Sequence, residues 1–420
     1  MRFLYVALSY LLFAVLFPLL CLHRKTRHGL RERLGLYRRA PLPGEGTLRI
    51  WLHGASAGDL LALAPMIPLL RQRFPGCRIL ASTVTNTGYA MAKGRLKAEL
   101  DAVVYAPYDL FGATRRAVRA IRPHLLVLEY AELWPNLIDA AQRAKARVVL
   151  TNGRISPSQM PRYRALFALA GNLLLKFDLL LMRGEEEAER VLALGAPPDR
   201  VVVTGNTKFD ALASIQPPDE GLRAALQLAA GERLWIAGST HEGEEEGILQ
   251  AFLKLRRRHP ELKLLIAPRY ADRAGRVLAL ARSAGLTATL RSRPEVQGAS
   301  VMILDTIGEL SAAYGLATLV FVGGTFVRRG GQNMLEPAAH GRPVLFGPHT
   351  ENFADAVQAL VGRGGIQVKD AEGLYAIAAE LLSRPEQLEG LGALARSAVE
   401  QISGASQRNV DRIGDLFVKP

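Results

Sequence analysis

Leu48-Arg49-Ile50-Trp51-Leu52-His53-Gly54-Ala55-Ser56-Ala57-Gly58-Asp59-Leu60-Leu61-Ala62-Leu63 is the stretch on which the fold turns. A short apolar run gives way to small residues and then to an apolar helical stretch: a strand, a glycine-rich turn and a helix. Outward from this segment the same alternation recurs. Strands are expected near 48–53, 78–82, 102–106, 124–129, 147–151, 178–182 and 201–204. A second series is expected near 233–237, 262–267, 286–290, 300–304, 318–322, 342–346 and 365–368. Strands alternating with helices of about 10–15 residues imply βαβ units and parallel sheets. Between the two series the composition breaks at Ile215-Gln216-Pro217-Pro218-Asp219, a Pro-rich polar interruption. The expected fold is α/β: an N-terminal Rossmann-like domain over 41–214, a linker over 215–220 and a second such domain over 221–420. Two such domains facing each other would place a central cleft at the carboxyl ends of both sheets, where ligands of these folds bind.

The chain has 420 residues, 49% of them hydrophobic and 22% charged, enough apolar content to fill two cores and to exclude general disorder. Two cysteines, Cys21 and Cys77, exclude a disulfide framework and a zinc site built on paired cysteines. The net charge of +14 asks for a polyanionic neighbour, and its location narrows the choice. Residues 3–22 carry no charge, and a helix of that length spans roughly the 30 Å of a bilayer core. Arg24, Lys25, Arg27, Arg31, Arg33, Arg38 and Arg39 follow, opposed only by Glu32. We therefore expect a membrane-anchor helix over 1–23 and a basic collar for anionic lipid over 24–40. The positive-inside rule puts the remainder of the chain in the cytoplasm.

The loops carry the chemistry. G-x-G-x-x-G, G-x-x-x-x-G-K, H-E-x-x-H and D-x-D are all absent, so phosphate is expected on helix N-termini, with no metal and no cofactor. Asp59 has two readings, a first-turn acid on a helix dipole or a general base at a strand end. Glu132, in the run Glu129-Tyr130-Ala131-Glu132, either caps the helix after Pro135 or forms a second wall of the site, as a candidate catalytic carboxylate beside Asp59. Ser239 and Thr240 read as N-caps or as phosphate ligands. Arg269 is placed to pair with an anion at the same rim. Gly308 and Glu309 open another helix, again a candidate anion terminus. Asn333 and Glu336 lie three apart, a spacing that suits the vicinal hydroxyls of a ribose.

In order along the chain stand HGASAGD (53–59), YAPYDL (105–110), EYAELWPN (129–136), TNGRIS (151–156), VTGNTKFD (203–210), GSTHEGEEE (238–246), APRY (267–270), DTIGEL (305–310), GGQNMLEPA (330–338) and FGPHTENF (346–353). With the anchor and collar, this series closely resembles the 3-deoxy-D-manno-octulosonic acid (Kdo) transferases of lipopolysaccharide synthesis. The resemblance implies a GT-B fold and inverting transfer, with CMP-Kdo as donor and a lipid A precursor (lipid IVA) as acceptor, at the cytoplasmic face of the inner membrane. It implies Asp59 as catalytic base, where the family usually has Glu. Asp is one methylene shorter, so its carboxylate falls about 1–1.5 Å short unless backbone or substrate shifts. At the family's E-T-E, Tyr130 stands at the first Glu, Glu132 keeps its match, and Glu129 lies one residue before. A GT-B transferase using a UDP-sugar on another membrane lipid would share this architecture, and donor competition separates the two. A tethered nucleic-acid or scaffold protein would need exposed aromatics among its basic residues. With 7% aromatic residues and glycine loops at strand ends, no nucleic-acid partner is expected.

Overall fold

The computed structural model describes residues 2–22, 28–37, 42, 46–212 and 220–418. All fourteen expected strands form, in two parallel seven-stranded sheets. The first contains β1 (Arg49–His53), β2 (Arg78–Thr83), β3 (Ala102–Tyr105), β4 (Leu125–Glu129), β5 (Arg147–Gly153), β6 (Leu179–Met182) and β7 (Val201–Val203), in the order β3-β2-β1-β4-β5-β6-β7. The second contains β8 (Arg233–Thr240), β9 (Leu262–Pro268), β10 (Ala288–Leu290), β11 (Val301–Ile303), β12 (Leu319–Val322), β13 (Val344–Phe346) and β14 (Gly365–Gln367), in the order β10-β11-β9-β8-β12-β13-β14. Central strands such as Leu125-Leu126-Val127-Leu128-Glu129 are buried along their whole length, which is why they read as continuous apolar runs without alternation. The crossover helices bury one stripe each. Phe111–Ile121 sinks Ala113, Ala117, Val118 and Ile121, and it stops at Arg122, whose φ of 49° leaves the helical region. In each sheet the strand order reverses beside the first strand of its series, between β1 and β4 and between β8 and β12. These are the points where doubly wound sheets open a crevice at their carboxyl ends.

The chain forms two compact units, residues 1–211 with 404–420, and residues 212–403. This corrects the expected C-terminal boundary at 420. The last helix, Ala405–Val418, belongs to the first unit. It buries Val410 and Ile413 among Ile50, Met66 and Leu70, and Phe417 meets Phe74 at 5.4 Å. Asp210 caps that helix by accepting from the N–H groups of Gly404 (2.6 Å), Ala405 (3.1 Å) and Ser406. Of the expected linker, residues 215–219 lie outside the described residues.

The N-terminal apolar run is a helix, Arg2–Leu22. Tyr5 donates to Asp109 at 2.8 Å, Tyr10 accepts from the Gly112 N–H at 2.9 Å, and Phe13 packs on Tyr108 at 5.4 Å. Leu8, Leu11, Leu12, Val15 and Leu19 remain exposed. Among the described residues no helix is long and apolar enough to cross a membrane. Within the expected collar, Arg24, Lys25, Arg27, Arg38 and Arg39 lie outside the described residues. Arg33 does not face lipid. It is 3% exposed, donates to the carbonyls of His28 and Val84 at 3.0 and 2.7 Å, and lies 4.4 Å over the Tyr105 ring. Glu32 accepts from the Tyr105 N–H at 2.8 Å. This pair is structural because a buried guanidinium must spend its donors on fixed acceptors.

Candidate functional site

In the first unit, β1 ends in His53, which is 1% exposed. Its Nδ1 lies 2.9 Å from Ser82 Oγ, and that same oxygen accepts from Trp51 Nε1 at 2.7 Å. The other ring nitrogen, Nε2, stands 3.8 Å from Glu132 Oε2. The Glu132 carboxylate also accepts from Trp134 Nε1, and Trp134 meets the His53 ring edge-on at 6.1 Å. Glu132 therefore faces β1 and does not cap the helix Pro135–Arg143. That helix is capped by Asp109, which accepts from the N–H groups of Asn136 and Leu137 at 3.1 and 2.9 Å. Burial holds the Asp109 carboxyl above its usual range despite these bonds.

Asp59 lies in the first turn of the helix Ala57–Leu63 and closes a capping box with Ser56. Its Oδ2 accepts from Ser56 N at 2.9 Å and Ser56 Oγ at 2.8 Å. The first of the two sequence readings is thus met, with Oδ2 serving the cap and Oδ1 outside it. Glu129 is fully buried. It accepts from Thr151 Oγ1 at 2.6 Å and Asn152 Nδ2 at 2.9 Å, with Thr207 Oγ1 at 3.5 Å. Burial, with the negative charge of Asp59 adding to it, pushes its pKa up to about 8. Tyr130, in the left-handed region at φ 68°, turns the chain away from this pocket. Its hydroxyl accepts from Lys208 Nζ at 3.0 Å, and the ammonium lies 4.5 Å over the ring. The substituted position of the E-T-E pattern is therefore a cation contact, and Glu129 is an interior group beneath it.

In the second unit, the expected caps are corrected. Thr240 is the last residue of β8 and Ser239 a bulge at φ 56°, whereas the helix begins only at Glu245. The Thr240 hydroxyl donates to Glu245 Oε1 at 3.0 Å. Glu245 is in turn gripped by Arg273 at 2.8 and 3.3 Å. Glu244, 1% exposed, accepts four backbone N–H groups: His241 (2.8 Å), Gly324 (2.7 Å), Thr325 (3.0 Å) and Phe326 (2.9 Å). It ties the loop after β8 to the loop after β12. In sequence these acids look like a solvated first turn, and only their burial identifies them.

Arg269 is exposed and stacks on Tyr270 at 5.7 Å, with its N–H on the Thr240 carbonyl at 2.9 Å, so it stands at the end of β8 as expected. Gly308 and Glu309 do not open an anion terminus. The helix Leu310–Ala313 is a single turn, and the Glu309 carboxylate already sits there, bonded to Thr306 and to Arg291 at 2.8 Å. Asn333 and Glu336 do meet: Asn333 Nδ2 donates to Glu336 Oε1 at 2.9 Å, while Asn333 Oδ1 accepts from Leu335 N at 3.1 Å. Burial raises the Glu336 pKa, and bonds from Asn333 and Ser311 oppose the rise. Among the described residues no group of three or more His, Cys, Asp or Glu is arranged to hold a metal ion.

The sequence profile of a family described as 3-Deoxy-D-manno-octulosonic-acid transferase (kdotransferase) matches residues 28–211. A 3-deoxy-D-manno-octulosonic acid transferase of Haemophilus influenzae is 33% identical over 395 residues, covering 92% of this chain and 90% of that protein. One from Bordetella pertussis is 31% identical, with 90% and 89% covered. Among solved structures, a UDP-GlcNAc 2-epimerase from Neisseria meningitidis superposes with a TM-score of 0.63 at 15% identity, covering 87% of this chain and 99% of that one. It shares the fold of two parallel-sheet α/β domains found in GT-B glycosyltransferases.

Proposed function

The chain belongs to the 3-deoxy-D-manno-octulosonic acid transferase family, glycosyltransferases of lipopolysaccharide synthesis, and from that premise we propose that it transfers Kdo from CMP-Kdo to a lipid A precursor with inversion. Asp59 Oδ1 takes the proton of a primary hydroxyl on the acceptor. The resulting oxygen attacks the anomeric carbon as the bond to the CMP phosphate breaks, and CMP leaves with the electron pair. A single displacement requires no enzyme nucleophile. Glu132, held by Trp134 and faced by His53, forms the acceptor-side wall. On the donor side Asn333 and Glu336 take the ribose, and Arg269 with the Ser239 bulge meets the leaving phosphate, supplying positive charge without a metal. The N-terminal helix, through its exposed leucines, and the basic residues after it hold the enzyme on the inner membrane, with both domains on the cytoplasmic face.

The observation that carries the reading is the Asn333–Glu336 pair at 2.9 Å, a carboxylate and a carboxamide set side by side as a diol requires. The test is transfer from CMP-Kdo to tetra-acylated lipid A precursor, with products counted by mass. CMP is expected to protect and UDP not to. Asp59→Asn, which keeps an oxygen for the Ser56 cap, is expected to lower kcat by about 10²–10⁴. Near-normal transfer by this variant would remove Asp59 as the base, and protection by UDP alone would replace the donor.

A further inference from the structure

Three adjacent strands of the first sheet bring one histidine up to a carboxylate. His53 is the last residue of β1, where the strand order reverses between β1 and β4. Its register partners are Ser82 on β2 and Leu128 on β4. Trp51 lies two residues back and so on the same face of the pleat. Trp51 Nε1 donates to Ser82 Oγ at 2.7 Å, and Ser82 Oγ lies 2.9 Å from His53 Nδ1. The ring is thus fixed from its Nδ1 side, in a site 1% exposed.

The other nitrogen, Nε2, is buried without a hydrogen-bond partner among the described residues. Buried polar atoms are ordinarily bonded, and what stands before this one is Glu132 Oε2 at 3.8 Å. A hydrogen bond needs about 2.7–3.2 Å, so the gap is too wide by about 1 Å. Only one of the two partners is free to close it. The His53 side chain is enclosed and held by Ser82, whereas the Glu132 side chain is 20% exposed on the loop after β4. Trp134 Nε1 already donates to the same Oε2. Both neighbours therefore address one oxygen, and Oε1 takes no hydrogen bond among the described residues.

We propose that His53 is the positioning residue of Glu132: a proton on Nε2 draws Oε2 into a second hydrogen bond beside that from Trp134, and so aims Oε1 at the acceptor. This deepens the reading of Glu132 as the acceptor-side wall and rests on it. The bond is charge-assisted and forms without moving the buried ring. A carboxylate pinned through one oxygen by two donors keeps the other in one place, which is what holding an acceptor hydroxyl in attacking geometry requires. Ser82 is the link behind, because its contact with Nδ1 sets the ring plane.

Two substitutions separate this role from a structural one. His53→Asn puts an amide where Nδ1 stands and can keep the Ser82 bond, but it leaves nothing at Nε2. His53→Gln puts an amide where Nε2 stands and gives up Ser82. With CMP-Kdo and tetra-acylated lipid A precursor, His53→Asn is expected to lower kcat/KM for the acceptor by about tenfold to a hundredfold, the effect of one hydrogen bond to a charged group. Its CMP binding and Tm stay close to wild type. His53→Gln is expected to recover most of that loss, at a lower Tm. The opposite pattern, full transfer by His53→Asn and little by His53→Gln, marks a ring kept only for its Ser82 bond and overturns the proposal. In a Glu132→Ala background, His53→Asn is expected to cost nothing further; an equal further loss shows that His53 does not act through Glu132 and overturns it as well. In ¹⁵N-histidine NMR of the full-length wild type, His53 Nε2 is expected to carry a proton and to shift in Glu132→Ala. An Nε2 without a proton has nothing to donate, and overturns the proposal whatever the kinetics. That measurement needs no substrate, so a wild type that transfers nothing from CMP-Kdo yet shows the protonated, Glu132-sensitive Nε2 keeps the pair and overturns the donor reading instead.

Discussion

Glu244→Gln acts on a side chain that accepts four backbone hydrogen bonds. In the native protein Oε2 accepts from His241 N and Gly324 N, and Oε1 from Thr325 N and Phe326 N. A glutamine of the same shape keeps one accepting oxygen. Its NH₂ group then faces two N–H donors that it cannot satisfy, in a site 1% exposed. A buried donor left empty costs about 1–3 kcal/mol, so two of them cost about 2–6 kcal/mol, before counting the loss of charge assistance. For a unit of this size each kcal/mol lowers Tm by about 2–4 °C, so the 212–403 unit should melt roughly 4–24 °C lower. Thermal unfolding followed by circular dichroism reads this directly. Hydrogen exchange should locate the lost protection at Gly324, Thr325 and Phe326. Melting within about 2 °C of wild type, with those amides still protected, would refute the claim that this carboxylate ties the two loops together.

Three other outcomes follow from the same geometry. Glu129, with a pKa of about 8 in the folded chain, ionises near 4.5 once unfolded; its burial carries no penalty below about pH 4.5, costs progressively more up to about pH 8 and is constant above. Glu129→Gln should therefore flatten the fall of Tm between pH 5 and 8, and an unchanged slope would show that another group controls it. Gly238→Ala puts a Cβ 2.0 Å from the Tyr314 hydroxyl and should cost about 1–3 kcal/mol by overpacking, with Tyr314→Phe recovering part of it in a double-mutant cycle by chemical denaturation. Arg33→Gln should lower Tm without changing cosedimentation with anionic vesicles, because Arg33 bonds His28 and Val84 inside the fold; a vesicle-binding defect at unchanged Tm would return it to the lipid collar.

The fourteen strands could be located from sequence because parallel strands buried on both faces must be short continuous apolar runs, and those runs are local. Asn333 and Glu336 were legible for the same reason, since three residues of spacing bring side chains together without any distant partner. Asp59 was legible as a position but not as a geometry, because its capping box with Ser56 leaves only Oδ1 for chemistry. The family pattern brought attention to Glu132, but its partners, His53 and Trp134, come from the end of β1 and from its own loop and had to be folded together.

What the sequence by itself determined is the alternation of strands and helices, the order of the glycine loops and the family they mark. Each is set by contacts within about one turn or one strand. What only the tertiary structure decided is which acids are buried. Glu129, Glu244 and Glu245 look like any surface carboxylates in the chain, and become interior groups because strand order brings Thr151, the loop after β12 and Arg273 onto them. The same holds for the helix Ala405–Val418, whose apolar stripe carries no mark of the unit it will cover. Burial and partner choice are properties of the packed whole, and a carboxylate's protonation and use depend on both.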